Sequence, residues 1–128
     1  MHMAWMRQVC GRLKSDFRYS GTLVYNNYPF PPSPTTAQQA AVTEAAAQVL
    51  TVRTQYPGAT LALLYDPLTM PPPLAQAHAQ LDRMVDRCYR PAPFPTELAR
   101  LEFLFGLYRQ LSEPLLPAPK VARARRSR

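Results

Sequence analysis

The amino-acid sequence predicts a mainly α-helical protein, a small antiparallel helical bundle preceded by one short helix and two short strands and followed by a disordered basic tail. Three observations predict it. Of the 15 prolines, 13 fall in clusters at 29–34, 71–73, 91–95 and 114–119, and because proline ends helices, the helices belong between those clusters. The stretches between them repeat apolar residues every three or four positions, the period of a helix with one buried face. Only residues 14–29 combine aromatic and β-branched side chains in a strand-like pattern.

Met3, Met6, Val9, Cys10 and Leu13 form a stripe, with Arg7 and Arg12 off it, which predicts an amphipathic helix over residues 1–13. No capping Ser, Thr, Asp or Asn precedes that run, so it reads as an element cut from a longer chain. Phe17 and Tyr19 then alternate with Asp16, Arg18 and Ser20, and Leu23, Val24 and Tyr25 lead up to Asn26-Asn27. This predicts two short strands joined around Ser20-Gly21. Two strands alone are marginal in water, so they read as the end of a larger β-containing domain.

Pro29 to Pro34 is a stiff, extended linker and marks a boundary. Thr36 with Gln39 resembles a capping box, and the alanine-rich run after it is helical to about Tyr56, where Pro57-Gly58 stops it. Its buried stripe is Val42, Ala45, Ala46, Val49 and Leu50. Thr60 to Tyr65 forms a short helix, and Pro71-Pro72-Pro73 opens the next, where a missing N–H does no harm. Leu74, Ala77, Leu81, Met84, Val85 and Cys88 line its inner face, with Asp82, Arg83, Asp86 and Arg87 opposite. A last helix from Thr96 to about Ser112 turns Leu98, Leu101, Leu104, Phe105, Tyr108 and Leu111 inward.

The net charge of +7 is unevenly placed. Arg7, Arg12, Lys14 and Arg18 against Asp16 give the first twenty residues +3, Lys120, Arg123, Arg125, Arg126 and Arg128 give the tail +5, and residues 21–117 sum to −1. Two basic ends on a near-neutral body suit a polyanion, nucleic acid first. A basic tail serves solubility equally well. Cys10 and Cys88 lack the close His or Cys neighbours of a zinc site and read as free thiols. No stretch reaches the ~20 apolar residues of a membrane span and no signal-peptide core is present, which points to the cytoplasm and away from membranes.

Catalytic patterns are wanting. There is no glycine-rich phosphate loop and no HExxH, and His2 and His78 have no nearby nucleophile or acid partner. Asn27-Tyr28-Pro29-Phe30 differs from the Asn-Pro-Pro-Tyr/Phe loop of amino-group DNA methyltransferases at its second position, and no cofactor-binding strand precedes it. The stretch GRLKSDFRYSGTLVYNNYPFPP interleaves cations with Phe17, Tyr19 and Tyr25, which suits phosphate and groove-edge contacts. On composition alone, aromatics in strands are more often core.

The string MHMAWMRQVCGRLKSDFRYSGTLVYNNYPFPP resembles the final segment of the target recognition domain of MmeI-like (type IIL) restriction-modification enzymes. The helical region beyond it, including LALLYDPLTMPP, AHAQLDRMVDRCY and LEFLFGLYRQL, is similar to that family's C-terminal helical domain. The likeness covers nearly all of residues 1–113 and omits the tail. It implies a division into 1–31, the end of the recognition domain; 32–35, a proline-rich linker; 36–113, the helical domain; and 114–128, the tail.

The resemblance further implies a parent enzyme that methylates adenine N6 from S-adenosylmethionine, often with a fused nuclease. The catalytic and cofactor-binding parts would lie upstream of Met1, leaving no cofactor for this chain to bind. The partners expected are double-stranded DNA and that upstream methyltransferase and nuclease portion. A gene remnant, a split subunit and an excerpt all fit. An alternative makes the helical region a docking module for a separately encoded methyltransferase subunit.

Lys14 and Asp16 match a residue pair that the family varies together to choose one base pair of its target. Read as an extended segment, residues two apart project to one side, so both side chains would face the same base edge. A lysine donates to guanine O6 and N7 and an aspartate accepts from cytosine N4, so one G·C pair satisfies both. Without the family likeness, an exposed ion pair is the simpler reading. Arg7, Arg12, Arg18, Tyr19 and Ser20 are the expected contacts to the DNA backbone.

Overall fold

The computed structural model describes residues 1–113, and the tail expected over 114–128 lies outside the described residues. Helix α1 spans His2–Val9. It stops short of the predicted Leu13, because Cys10 is already extended (φ −75°, ψ 152°) and Gly11 is a poor helix former. The buried side is Ala4, Trp5 and Met6, while Met3, expected in the core, is exposed. Trp5 has the largest apolar surface on the helix, and burying it rotates the predicted stripe.

The strands are β1 (Gly11–Leu13) and β2 (Asp16–Arg18), antiparallel, pairing Gly11 with Arg18, Arg12 with Phe17 and Leu13 with Asp16. The hairpin turn is therefore Lys14-Ser15, and the expected turn at Ser20-Gly21 is incorrect. Gly21–Tyr25, whose Leu23, Val24 and Tyr25 read from sequence as a strand, is a single π-helical turn closed by Asn26 N–H to the Gly21 carbonyl at 2.9 Å. Ser20 Oγ accepts from Leu23 N–H, and the Asn27 amide donates to the carbonyls of Thr22 and Leu23 at 3.1 and 3.2 Å. Such side-chain bonds offer the backbone an alternative to a strand ladder. They also tie the Asn27 amide into its own turn.

Helix α2 spans Thr36–Thr54 and is capped by Thr35. The TTAQQ run allows a capping box from either threonine, and the structure uses Thr35 with Gln38, one residue before the predicted pair. The Gln38 amide also donates to the Arg87 carbonyl at 2.8 Å, and Gln39 donates to Pro34 instead. A bond to a distant helix thus sets the register. Helix α3 (Leu61–Leu64) is capped by Thr60, α4 (Pro72–Tyr89) carries prolines in its first turn, and α5 (Glu97–Ser112) is capped by Thr96. No helix among the described residues is long and apolar enough to cross a membrane.

Two apolar cores hold these elements. Val49 and Val52 from the end of α2 meet Leu64, and Leu74 and Ala77 from the start of α4, while Gln38 at the start of α2 reaches the end of α4. The two helices are antiparallel. The other core joins Met1, Trp5, Met6, Val24 and Tyr28 to Phe94 and Leu104, residues from both sides of the proline-rich segment at 29–34. Helix α5 leans on α1 along one line, which leaves Leu98, Phe105, Tyr108 and Leu111 exposed against expectation, with Leu104 fully buried. Leu50 on α2 is likewise exposed.

Asp86 reverses its expected placement. It is 6% exposed and accepts from the Arg100 guanidinium of α5 at 2.7 and 3.1 Å on Oδ2 and 3.2 Å on Oδ1. Sequence periodicity assigned it to solvent because its partner lies on another helix.

Candidate nucleic-acid interface

All six residues of β1 and β2 are exposed, so the ribbon projects from the core with neither face covered. Residues directly opposite in an antiparallel pair share a face, and residues two apart on a strand share it too. One face therefore carries Arg12 and Phe17, with the guanidinium 4.4 Å from the ring centroid. The other carries Leu13, Asp16 and Arg18, with Gly11 opposite Arg18. A two-stranded ribbon of this kind fits the major groove of B-DNA.

Lys14 occupies the first turn position with φ 58°, the left-handed region that non-glycine side chains rarely adopt. It is thus not in the extended segment that would align it with Asp16. The turn keeps the two together at the ribbon's tip, and neither takes part in an ion pair among the described residues. Lys14→Val, with a branched side chain in that conformation, is expected to open the hairpin by on the order of 1 kcal/mol, whereas Lys14→Gly retains it. Amide hydrogen exchange over residues 11–18 reads the difference, and equal protection in both variants would refute the strain at this turn.

The expected backbone contacts are dispersed. Arg7 is taken up by Glu97 of α5, with Nη1 at 2.9 and 2.7 Å from the two carboxylate oxygens. Tyr19 lies beyond β2 with its hydroxyl 3.2 Å from His2 Nε2. Ser20 caps the π-helical turn, and its Oγ lies 3.0 Å from Thr22 Oγ1. Arg12 and Arg18 remain exposed on opposite faces of the ribbon. Sequence reasoning missed the hairpin itself, because Lys-Ser lacks the Asn-Gly or Asp-Gly signature of two-residue turns.

A cavity of about 820 Å³ opens between α1, the proline-rich segment, α2 and α4. In its wall Tyr89 Oη lies 2.7 Å from Tyr28 Oη and 3.1 Å from the Pro29 carbonyl. Burial pushes both phenols up, so they act as neutral hydrogen-bonding groups that tie residues 28–29 to α4. Burial also pushes the Cys88 thiol up and the His2 imidazole down. His78 is engaged by the Tyr65 hydroxyl at 2.9 Å. Among the described residues no group of His, Cys, Asp or Glu is placed to hold a metal ion.

Residues 34–116 match the MmeI C-terminal domain, and residues 1–32 match the MmeI target recognition domain. The chain belongs to the MmeI family. It is 44% identical over 113 residues to DNA methyltransferase A of Bacillus subtilis (strain 168), an alignment that covers 88% of this chain and 13% of that protein. The solved structure of the type IIL restriction-modification enzyme MmeI in complex with DNA superposes with a TM-score of 0.83 at 46% identity, over 88% of this chain and 15% of the other. The chain thus spans a small fraction of the length of these MmeI-family relatives. The core around Trp5 crosses the junction between the two matched domains, since Val24 and Tyr28 belong to one and Phe94 and Leu104 to the other.

Proposed function

We propose that this chain supplies DNA-reading specificity and bracing to an MmeI-like adenine-N6 DNA methyltransferase, working on double-stranded DNA in the cytoplasm. The observation that carries the reading is the doubly exposed β1–β2 ribbon with Lys14 and Asp16 at its tip. Residues 1–31 act as the end of the recognition domain, 32–35 as the linker and 36–113 as the helical brace, which grips the ribbon's base through the shared core. Arg12 and Arg18 supply nearby positive charge for phosphates, with Tyr19 and Ser20 at the ribbon's foot and Arg7 held aside by Glu97.

S-adenosylmethionine, the methyl donor implied by the family, does not fit the described residues. The four glycines stand singly at 11, 21, 58 and 106, with no glycine-rich loop to admit the cofactor. The methyl-transfer step is accordingly assigned to other parts of the enzyme.

A lysine on guanine and an aspartate on cytosine at the tip select one G·C pair. With residues 1–113 grafted into the matching segment of the Bacillus subtilis relative, Lys14→Glu with Asp16→Arg is expected to move preference at that position from G·C to C·G. Discrimination should change by about 10- to 100-fold, the worth of a good base contact, with the other positions unaltered. Sequencing of methylated sites decides it, and an unchanged motif with full activity removes both residues from the recognition site.

A second reading rests on a different surface. Leu68 is 94% exposed, in a loop held rigid by Asp66 accepting from Leu68 N–H at 2.8 Å and Thr69 donating to the Leu63 carbonyl at 3.1 Å. With Leu61 and Leu63 also exposed, this apolar patch favours the helical domain as a docking module for a methyltransferase subunit.

A further inference from the structure

We infer that Leu13 is a base-contacting residue that packs on the C5-methyl group of a thymine in the base pair next to the one read by Lys14 and Asp16. The inference rests on the base-reading role proposed for that pair and extends it to a neighbouring position. Leu13 and Asp16 are directly opposite in the ribbon register, so their side chains leave the same face side by side. If Asp16 reaches the floor of the major groove, Leu13 reaches it as well. Arg12 and Phe17, on the reverse face, then turn towards the sugar-phosphate wall.

The chemistry of Leu13 restricts what it can meet there. Its side chain has no donor or acceptor, and the apolar group that ordinary DNA presents in the major groove is the thymine methyl. Leu13 is 67% exposed although it occupies the last ladder position before the turn, so the fold makes little use of its apolar surface. On the reverse face, Phe17 is partly covered by the Arg12 guanidinium and 41% exposed, whereas Leu13 is the more exposed of the two. The two faces are thus chemically distinct. One offers an acid, an arginine and an uncovered aliphatic group, and the other a cation stacked on a ring.

The test uses the whole chain and short duplexes in which a central G·C pair is flanked on each side by A·T pairs in either orientation. Each duplex is made with thymidine or with deoxyuridine, which lacks the C5-methyl group. In at least one arrangement, deoxyuridine is expected to weaken binding by about four-fold, the worth of one buried carbon. Leu13→Ala should abolish that difference. The Leu13 methyl NMR signals should shift further with the thymidine duplex than with its deoxyuridine counterpart. Equal affinities and equal spectra for every thymidine and deoxyuridine pair overturn the Leu13 contact.

The recognition motif gives a second readout. A·T or T·A is expected beside the position that moves in the Lys14→Glu, Asp16→Arg graft, and no preference or G·C at both neighbours overturns the contact. If the motif moves but deoxyuridine has no effect, Leu13 fails and the parent reading stands. If the motif is unmoved, the parent reading fails, and a methyl effect lost in Leu13→Ala still establishes the Leu13 contact by itself.

Discussion

Trp5→Ala is expected to lower the unfolding free energy by about 3–5 kcal/mol, a large share of the stability of a domain of this size. Trp5 is 2% exposed, and it meets Phe105 and Tyr108 at ring-centroid distances of 5.1 and 5.6 Å and Tyr28 at 6.4 Å. Its indole N–H also donates to the Val24 carbonyl at 3.2 Å. Removing it leaves a cavity where α1, the π-helical turn and α5 converge. Urea unfolding followed by far-UV circular dichroism measures the loss, since the variant has no tryptophan to report fluorescence. Amides of α1 and residues 20–30 should exchange faster, while those around Val49 and Leu74 keep their protection in the second core. Trp5→Phe should cost much less, and wild-type stability in Trp5→Ala would disprove this core as the support of the ribbon.

Asp86→Ala is expected to cost about 2–3 kcal/mol. Removing one partner from a fully buried ion pair costs about 3–5 kcal/mol, and the smaller value applies because the Arg100 side chain is 27% exposed and water can reach it. The loss is mainly that of stranding a cation between α4 and α5. The double variant Asp86→Leu with Arg100→Leu should therefore be more stable than Asp86→Ala alone, as thermal unfolding of the two variants would read. If the double variant were the less stable of the two, attraction rather than avoided desolvation would dominate the pair.

The starts of α3, α4 and α5 were legible in the sequence. Thr60 and Thr96 cap where their hydroxyls can bond the third amide onward, Pro72 opens α4, and Gly58 takes φ 85° just beyond the end of α2. Each depends on residues within one turn. The inward faces were less legible. Leu98, Phe105 and Leu111 have the period of a core stripe, but the neighbours of α5 cover only part of that face, so much of the stripe remains in solvent. Asp86 shows the converse, a charge buried because Arg100 arrives from another helix.

The candidate site divides in the same way. Cations and aromatics over residues 12–19 marked the segment, and its resemblance to a recognition domain picked out Lys14 and Asp16. The hairpin that carries them was hidden, because its turn depends on a lysine in a conformation favoured by glycine. Placement of Leu13 beside Asp16 depends on the register of that hairpin, and alternation along one strand does not supply it.

By itself, then, the sequence determined the helical class, the approximate extent of α2 to α5 and the family, because propensity, capping and proline geometry act over a few residues and long idiosyncratic strings identify a relative. Only the tertiary structure decided which faces are buried, which threonine caps α2, that residues 11–18 form the ribbon, and that one core spans both matched domains. Burial and pairing free energies depend on which surfaces meet across the chain, and local pattern does not specify those neighbours.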